Sequence, residues 1–300
     1  RARASKKDWE GAIADFNQVI ALDPKMAEAY FNRGVVKSRT DIDGTIADFS
    51  QTITLDPKMA TAFYKRGTLR TQKGDFEGAL ADFTQDIELD PSSASAYSNR
   101  GYIKKAQHDL DGAINDFSQA LAIDPKIVGA YYNRGLAKYE KADLDGAIND
   151  FNRALDLDPK MTRGYYSRGI AKNTKNDLDG ALADYNQALA LDPNLVPALT
   201  DRALVRQAKG DLKNALDDYN RALVLDHARV GQEFLEIAAQ GRRVGGFRRA
   251  QIDQQHANPA RLDDRFGDRL RGRRDNVGSR RSRRDIVHGT SLMTATYSSP

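Results

Sequence analysis

Six arginines recur along this chain at Arg33, Arg66, Arg100, Arg134, Arg168 and Arg202, each followed four residues later by a second base: Lys37, Arg70, Lys104, Lys138, Lys172 and Arg206. Two cations one helical turn apart can hold a phosphate or carboxylate group. Aspartates keep the same interval, at Asp15, Asp48, Asp82, Asp116, Asp150, Asp184 and Asp218. Two readings follow: charge pairing between helices of neighbouring units, or a basic track for an acidic ligand.

Close carboxylates such as Asp143 and Asp145 have the types needed for acid/base work, but they recur in nearly every period. A catalytic pair is not needed six times over, whereas a helix-capping Asp is needed once per helix. His108, His227, His256 and His288 have no partner at metal-ligand spacing. Cysteine is absent, which removes thiolate ligands, thiol nucleophiles and disulfides. There is no glycine-rich phosphate loop and no nucleophile motif. The expectation is no catalytic, metal or cofactor site, and a non-enzymatic role.

The elements that carry these residues follow from the period. Asp-Pro stands at 23–24, 56–57, 90–91, 124–125, 158–159 and 192–193, in steps of 33 and then 34 residues. An interval this regular signals a solenoid of repeated supersecondary units. Within one unit, two apolar patterns at helical spacing flank Ala142-Asp143-Leu144-Asp145-Gly146, which predicts a helical hairpin with helices over about 129–141 and 145–157. The second helix must end before Asp158-Pro159, because the residue before Pro is pushed out of the α region. Asp143 and its counterparts Asp41, Asp75, Asp109, Asp177 and Asp211 are placed to cap the second helices. Tyr30, Phe63, Tyr97, Tyr131, Tyr165 and Leu199 are expected to face Phe49, Phe83, Phe117, Phe151, Tyr185 and Tyr219 across the hairpin. Gly135 with Ala147 would let the two backbones approach.

Counted from Ala60 as position 1, the unit has an aromatic at 4, Gly at 8, Ala at 20, an aromatic at 24, Ala at 27 and Pro at 32. This pattern resembles the tetratricopeptide repeat, and the resemblance covers residues 1–229. Two places depart from the family: position 7, commonly Leu, is always Arg, and position 11, commonly Tyr, is Lys or Arg. The resemblance implies an all-α fold of tandem helix-turn-helix repeats in a right-handed superhelix. The expected divisions are a partial first repeat at 1–26, six repeats at 27–59, 60–93, 94–127, 128–161, 162–195 and 196–229, a capping helix at 230–240, and a disordered basic tail at 241–300. The 27–59 unit lacks one residue in its internal turn, so a tighter turn is expected there.

In the family, the first helices line a concave groove that receives a peptide or partner protein. Carried onto this chain, the groove positions hold Asn32, Tyr64, Lys65, Asn99, Tyr102, Tyr132, Asn133, Arg163, Tyr166 and Asn173. Rings beside amides suit an extended peptide, since the ring offers apolar area and the amide can bond its backbone. The alternative is that several of these tyrosines are half buried between units. One subgroup of the family grips the C-terminal carboxylate of chaperones; Asn32 and Lys65 match two of its roles, but no unit carries its opening Lys and Asn, so that ligand is not expected.

The net charge of +4 divides unevenly: residues 241–300 hold fourteen Arg, no Lys and six Asp, while the preceding residues are mildly acidic. The basic tail reads as a solvated segment, an arginine-rich arm for nucleic acid or an acidic partner, or a shifted reading frame. No stretch approaches the ~20 apolar residues of a membrane-spanning helix. The chain starts at repeat position 9 without Met, which suggests a fragment, so a signal peptide stays possible and cytoplasm is only the default location. The function expected is a protein-interaction scaffold; the alternative is a regulatory or substrate-presenting domain of an enzyme whose catalytic part lies elsewhere. The sequence leaves partner identity and oligomeric state open.

Overall fold

The computed structural model of the chain describes residues 9–38 and 40–226. The expected capping helix at 230–240 and the basic tail at 241–300 lie outside the described residues. Within these, thirteen helices follow one another and there is no strand. They are α1 (Trp9–Leu22), α2 (Ala27–Lys37), α3 (Ile42–Leu55), α4 (Ala60–Lys73), α5 (Phe76–Leu89), α6 (Ala94–Ala106), α7 (Leu110–Ile123), α8 (Val128–Glu140), α9 (Leu144–Leu157), α10 (Thr162–Thr174), α11 (Leu178–Leu191) and α12 (Val196–Ala208), with α13 at 212–226. The even-numbered helix is the first of each unit. Each packs on the helix after it and on the helix before it, so the hairpins stack in chain order as a solenoid. No described helix is long and apolar enough to cross a membrane.

The punctuation of the sequence has a local cause at every boundary. Asp41, Asp75, Asp109, Asp143 and Asp177 each accept a hydrogen bond from the backbone N–H of the glycine three residues on, at 2.8–3.0 Å. This satisfies one of the free donors at the start of the second helix. A Cβ at Gly146 would come within 2.1 Å of the Asp143 carboxylate, so the glycine keeps the cap close. The Asp of each Asp-Pro accepts from the N–H two residues on, as Asp124 does from Lys126 at 2.9 Å.

Between the two helices of a unit the chain reverses through a left-handed residue, at Gly74, His108, Ala142, Asn176 and Gly210. In the turn at His108, the N–H of Asp109 bonds the Lys104 carbonyl and that of His108 bonds the Lys105 carbonyl, both at 2.9 Å. This double closure satisfies carbonyls that the helix end leaves free. His108 is therefore a turn residue. The one-residue deletion in the 27–59 unit falls at this turn: α2 ends at Lys37 after 11 residues, against 14 in α4.

The core is a column of buried rings, Phe49, Phe83, Phe117, Phe151 and Tyr185, one per unit on the second helix. Burying one such ring contributes roughly 1.5–3 kcal/mol. Each leans on the glycine of the facing helix; at Gly135 an added Cβ would lie 2.8 Å from Phe151 and 3.3 Å from the Ala147 carbonyl oxygen. The ring contacts across the hairpin differ from those expected. They come from the residue one further on, pairing Phe31 with Phe49, Tyr64 with Phe83, Tyr132 with Phe151 and Tyr166 with Tyr185, at 5.6–6.0 Å between centroids. The aromatics at position 4 instead sit under the arginine three residues later, as Tyr131 does under Arg134 at 5.7 Å. One turn of helix brings those two side chains onto the same face.

Candidate functional site

The arginine series pairs with aspartate, but within each unit. Arg134 on α8 makes two parallel hydrogen bonds to Asp150 on α9, at 2.7 and 2.9 Å, and Lys138 meets the same carboxylate at 2.7 Å. Asp150 is 1% exposed. The neighbouring unit enters through the remaining amino group of the guanidinium, which reaches back to Ser118 on α7 at 3.0 Å. The same triangle joins Arg100 to Asp116 and Thr84, Arg168 to Asp184 and Asn152, and Arg202 to Asp218 and Asn186. The basic residues at positions 7 and 11, which depart from the family pattern, are thus matched by an acid on the second helix. The Asp116 hydrogen bond holds the Arg100 guanidinium protonated beyond its ordinary range, against the opposing effect of burial. Both bases of a unit bond one buried acid, so their donors are largely committed within the fold while one positive charge per unit is left unbalanced by that acid.

The second acid of four of the carboxylate pairs also has a structural partner. Asp43, Asp111, Asp145 and Asp179 form ion pairs with Lys73, Lys141, Lys175 and Lys209 of the following unit. These are exposed and of small energetic value.

The groove candidates lie on α2, α4, α6, α8 and α10. Asn32, Tyr102, Arg163 and Asn173 are exposed, while Tyr64, Lys65, Asn99, Tyr132, Asn133 and Tyr166 are half-buried. Two groups are brought together. The Asn99 amide donates to the Tyr64 hydroxyl at 3.4 Å, and Tyr64 and Lys65 help line a cleft of about 180 Å³ with Val35, Ser38, Phe49, Thr68 and Leu69. Further along, the Arg163 guanidinium lies 4.8 Å over the Tyr132 ring, and the Tyr132 hydroxyl meets the Ser167 hydroxyl at 3.2 Å. Tyr166 donates to Asp201 at 2.8 Å. Among the described residues, no hydrogen bond joins Asn32, Tyr102, Asn133 or Asn173 to another of the ten.

Ser167 and Asp201 were not singled out by sequence reasoning. Both occupy the place that Asn32, Lys65, Asn99 and Asn133 hold in their units, so the recurring polar residue was the available signal. Burial raises the pKa of both Tyr166 and Asp201, and the Tyr166 hydrogen bond partly offsets the shift of Asp201.

Comparison with known proteins agrees with this architecture. A family model described as "TPR repeat" matches residues 1–41, 67–108 and 101–141, and one described as "Tetratricopeptide repeat" matches 132–196. No curated protein matches the chain. Among solved structures, the C-terminal part of a TPR repeat-containing protein from Cytophaga hutchinsonii superposes with a TM-score of 0.61 at 19% identity, covering 73% of this chain and 91% of that one. YrrB, described as a TPR protein with an unusual peptide-binding site, gives 0.54 at 22% identity over 59% of this chain and 91% of its own. MamA gives 0.53 at 22% identity over 55% and 96%. Likeness at these identities speaks to the fold. With the period, the stacked hairpins and the two family models in agreement, the chain belongs to the tetratricopeptide repeat family.

Proposed function

We propose that this protein is an interaction scaffold whose first-helix face binds an extended peptide or a partner protein. The observation that carries the reading is the arrangement of Tyr132, Arg163 and Tyr166. A ring with a guanidinium stacked over it stands beside a second half-buried ring, and all three are on first helices of adjacent units. Tyr and Arg are the side chains that most often dominate binding energy, because a fixed ring presents large apolar area with little rotamer entropy to lose. The buried arginine and aspartate triangles below supply a rigid base. YrrB, with its similar fold, is itself described as having a peptide-binding site.

The test is affinity capture with the full chain, followed by titration of the captured ligand against Arg163→Ala. Arg163 is exposed, so its loss should leave the fold intact and weaken binding by at least tenfold. Unchanged affinity in that variant and in Tyr132→Ala with Tyr166→Ala would remove this face from consideration.

A further inference from the structure

Where the second helix of one unit meets the start of the next, two residues seven apart recur, Val19 and Met26, Thr52 and Met59, Ala120 and Ile127, Ala154 and Met161, Ala188 and Leu195, and Ile127 and Met161 pack on the clusters that hold Ala120 and Ala154. The second member is always apolar and stands at the N-cap of the following first helix; Met161, for example, packs on Ala154 and Leu155. Between the 60–93 and 94–127 units the same two places hold Asp86 and Ser93. An acid and a hydroxyl have replaced a small residue and a plug.

The exchange leaves an opening. Asp86 is 3% exposed and lines a cleft of about 200 Å³ with Ala60, Thr61, Tyr64, Asp90, Ser93 and Ser95. The Ser93 hydroxyl donates to Asp86 Oδ2 at 2.6 Å, and no other side-chain hydrogen bond or ion pair among the described residues reaches this carboxylate. Serine at an N-cap ordinarily accepts a bond from the N–H groups of its own helix. Ser93 makes no such bond, its hydroxyl being turned to the acid. The other oxygen of Asp86, Oδ1, has no donor from the described residues and is left to the cleft. The nearby Asp90 accepts from the hydroxyl and N–H of Ser92, which hold its acid below the ordinary range and keep it charged. Burial, with Asp90 adding to it, raises the pKa of Asp86. The charge on Asp90 makes the cleft negative, and it is lined by acceptors with a ring at one side.

We propose that this cleft receives the cationic end of a lysine or arginine side chain from a ligand lying along the first helices. Tyr64 and Thr61 belong to α4 and Ser95 to α6, so the opening faces the side on which the proposed groove runs. The inference rests on the groove reading and adds what the groove selects: a basic residue at the register of the 60–93 unit. The ammonium or guanidinium would donate to Asp86 Oδ1, with Asp90 supplying the second negative charge and the Tyr64 ring packing against the methylene stem.

The test uses the full chain and N-acetyl-lysine methylamide, followed through the backbone amide signals of Thr61, Ser93 and Ser95. Saturable shifts are expected with this probe and not with N-acetyl-norleucine methylamide, which has the stem without the charge. The double substitution Asp86→Ala with Ser93→Met restores the pair present at Ala154 and Met161, so it keeps the fold and should weaken the probe by at least tenfold. Equal shifts with the uncharged analogue, no saturable shift, or shifts that survive the double substitution would each overturn the proposal. Calcium chloride giving the saturable response in place of the lysine probe would overturn it too, by making the cleft a metal site. A captured peptide that loses affinity with Arg163→Ala and keeps it with the double substitution would leave the groove reading standing and remove only this one.

Discussion

The Tyr132 hydroxyl lies 3.2 Å from the hydroxyl of Ser167, thirty-five residues further along the chain and on the next first helix. The same step joins Tyr64 to Asn99, Tyr139 to Thr174 and Tyr166 to Asp201. Tyrosines proposed to meet a ligand thus also tie consecutive units together, and the ring and the hydroxyl have separate tasks. The ring of Tyr132 rests on Phe151 and under Arg163, while its hydroxyl sets the spacing to the next unit.

Substitution can separate those tasks. Tyr132→Phe keeps the ring and should lower stability by about 1 kcal/mol through the lost hydrogen bond, with ligand affinity retained. Tyr132→Ala with Tyr166→Ala removes both rings and should weaken a captured ligand by about 2 kcal/mol or more, beyond what melting explains. Calorimetry on each protein gives the unfolding midpoint beside the affinity. If affinity falls only in proportion to unfolding, the rings are packing residues.

The buried acids under this face are expected to be sensitive. Asp150 is matched by Arg134 and Lys138, and its loss leaves two cations without their anion in a largely buried place. Asp150→Ala should destabilise the array by about 3 kcal/mol, whereas an exposed pair such as Lys175 with Asp145 should change stability by less than about 1 kcal/mol. Denaturant titration of the two variants compares them directly, and equal effects would contradict the difference in burial.

Two positions invite stabilisation. Ala142 holds a left-handed backbone with φ 63°, where Gly74 and Gly210 stand in other units. Ala142→Gly should gain about 1 kcal/mol, because only glycine adopts that region without steric cost. Tyr185 replaces the Phe of the other buried rings, and its hydroxyl is buried without a hydrogen-bond partner. Tyr185→Phe should gain about 1 kcal/mol by removing that group. A lower melting midpoint in either variant would mean that the position has a partner or constraint of another kind.

Much of this was legible in the sequence because the signals are local. The 34-residue interval, the Pro that ends each unit and the capping Asp place helix ends to within a residue: 129–141 was expected where α8 runs Val128–Glu140. What was not legible depends on how helices rotate against one another. Ring contacts shifted by one residue, from Tyr131 to Tyr132, because a helix face is set by its packing and not by the pattern alone. Arginines expected to reach a neighbouring unit found Asp150 and its equivalents fifteen or sixteen residues on. The left-handed turn at Ala142 is not marked by its own residue, since Ala has no preference for it, but only by the glycines at the same place in other units. Asp86 stood in plain view as a break in a column of small residues, but only the cleft beside it gives the break a meaning.

The last prediction concerns that acid and pH. The folded pKa of Asp86 lies above its ordinary 3.8, chiefly through burial, so between those two values the folded chain binds more protons than the unfolded one. Stability contributed at this position must then fall as pH rises from about 4 and level off once the folded acid has ionised. Asp201 is raised by burial as well and gives the same sign, so the useful quantity is a difference between proteins. Asp86→Ala should change the urea midpoint by one amount at about pH 3, where the acid is protonated in both states, and by a more favourable amount at about pH 7. Asp90 is held below the ordinary range and would give the opposite trend if it were the residue responsible. A midpoint difference that stays constant across this range would mean that the carboxyl titrates alike in the folded and unfolded chain. The folded surroundings would then place no penalty on the Asp86 anion, and a cationic side chain in the cleft would have none to relieve.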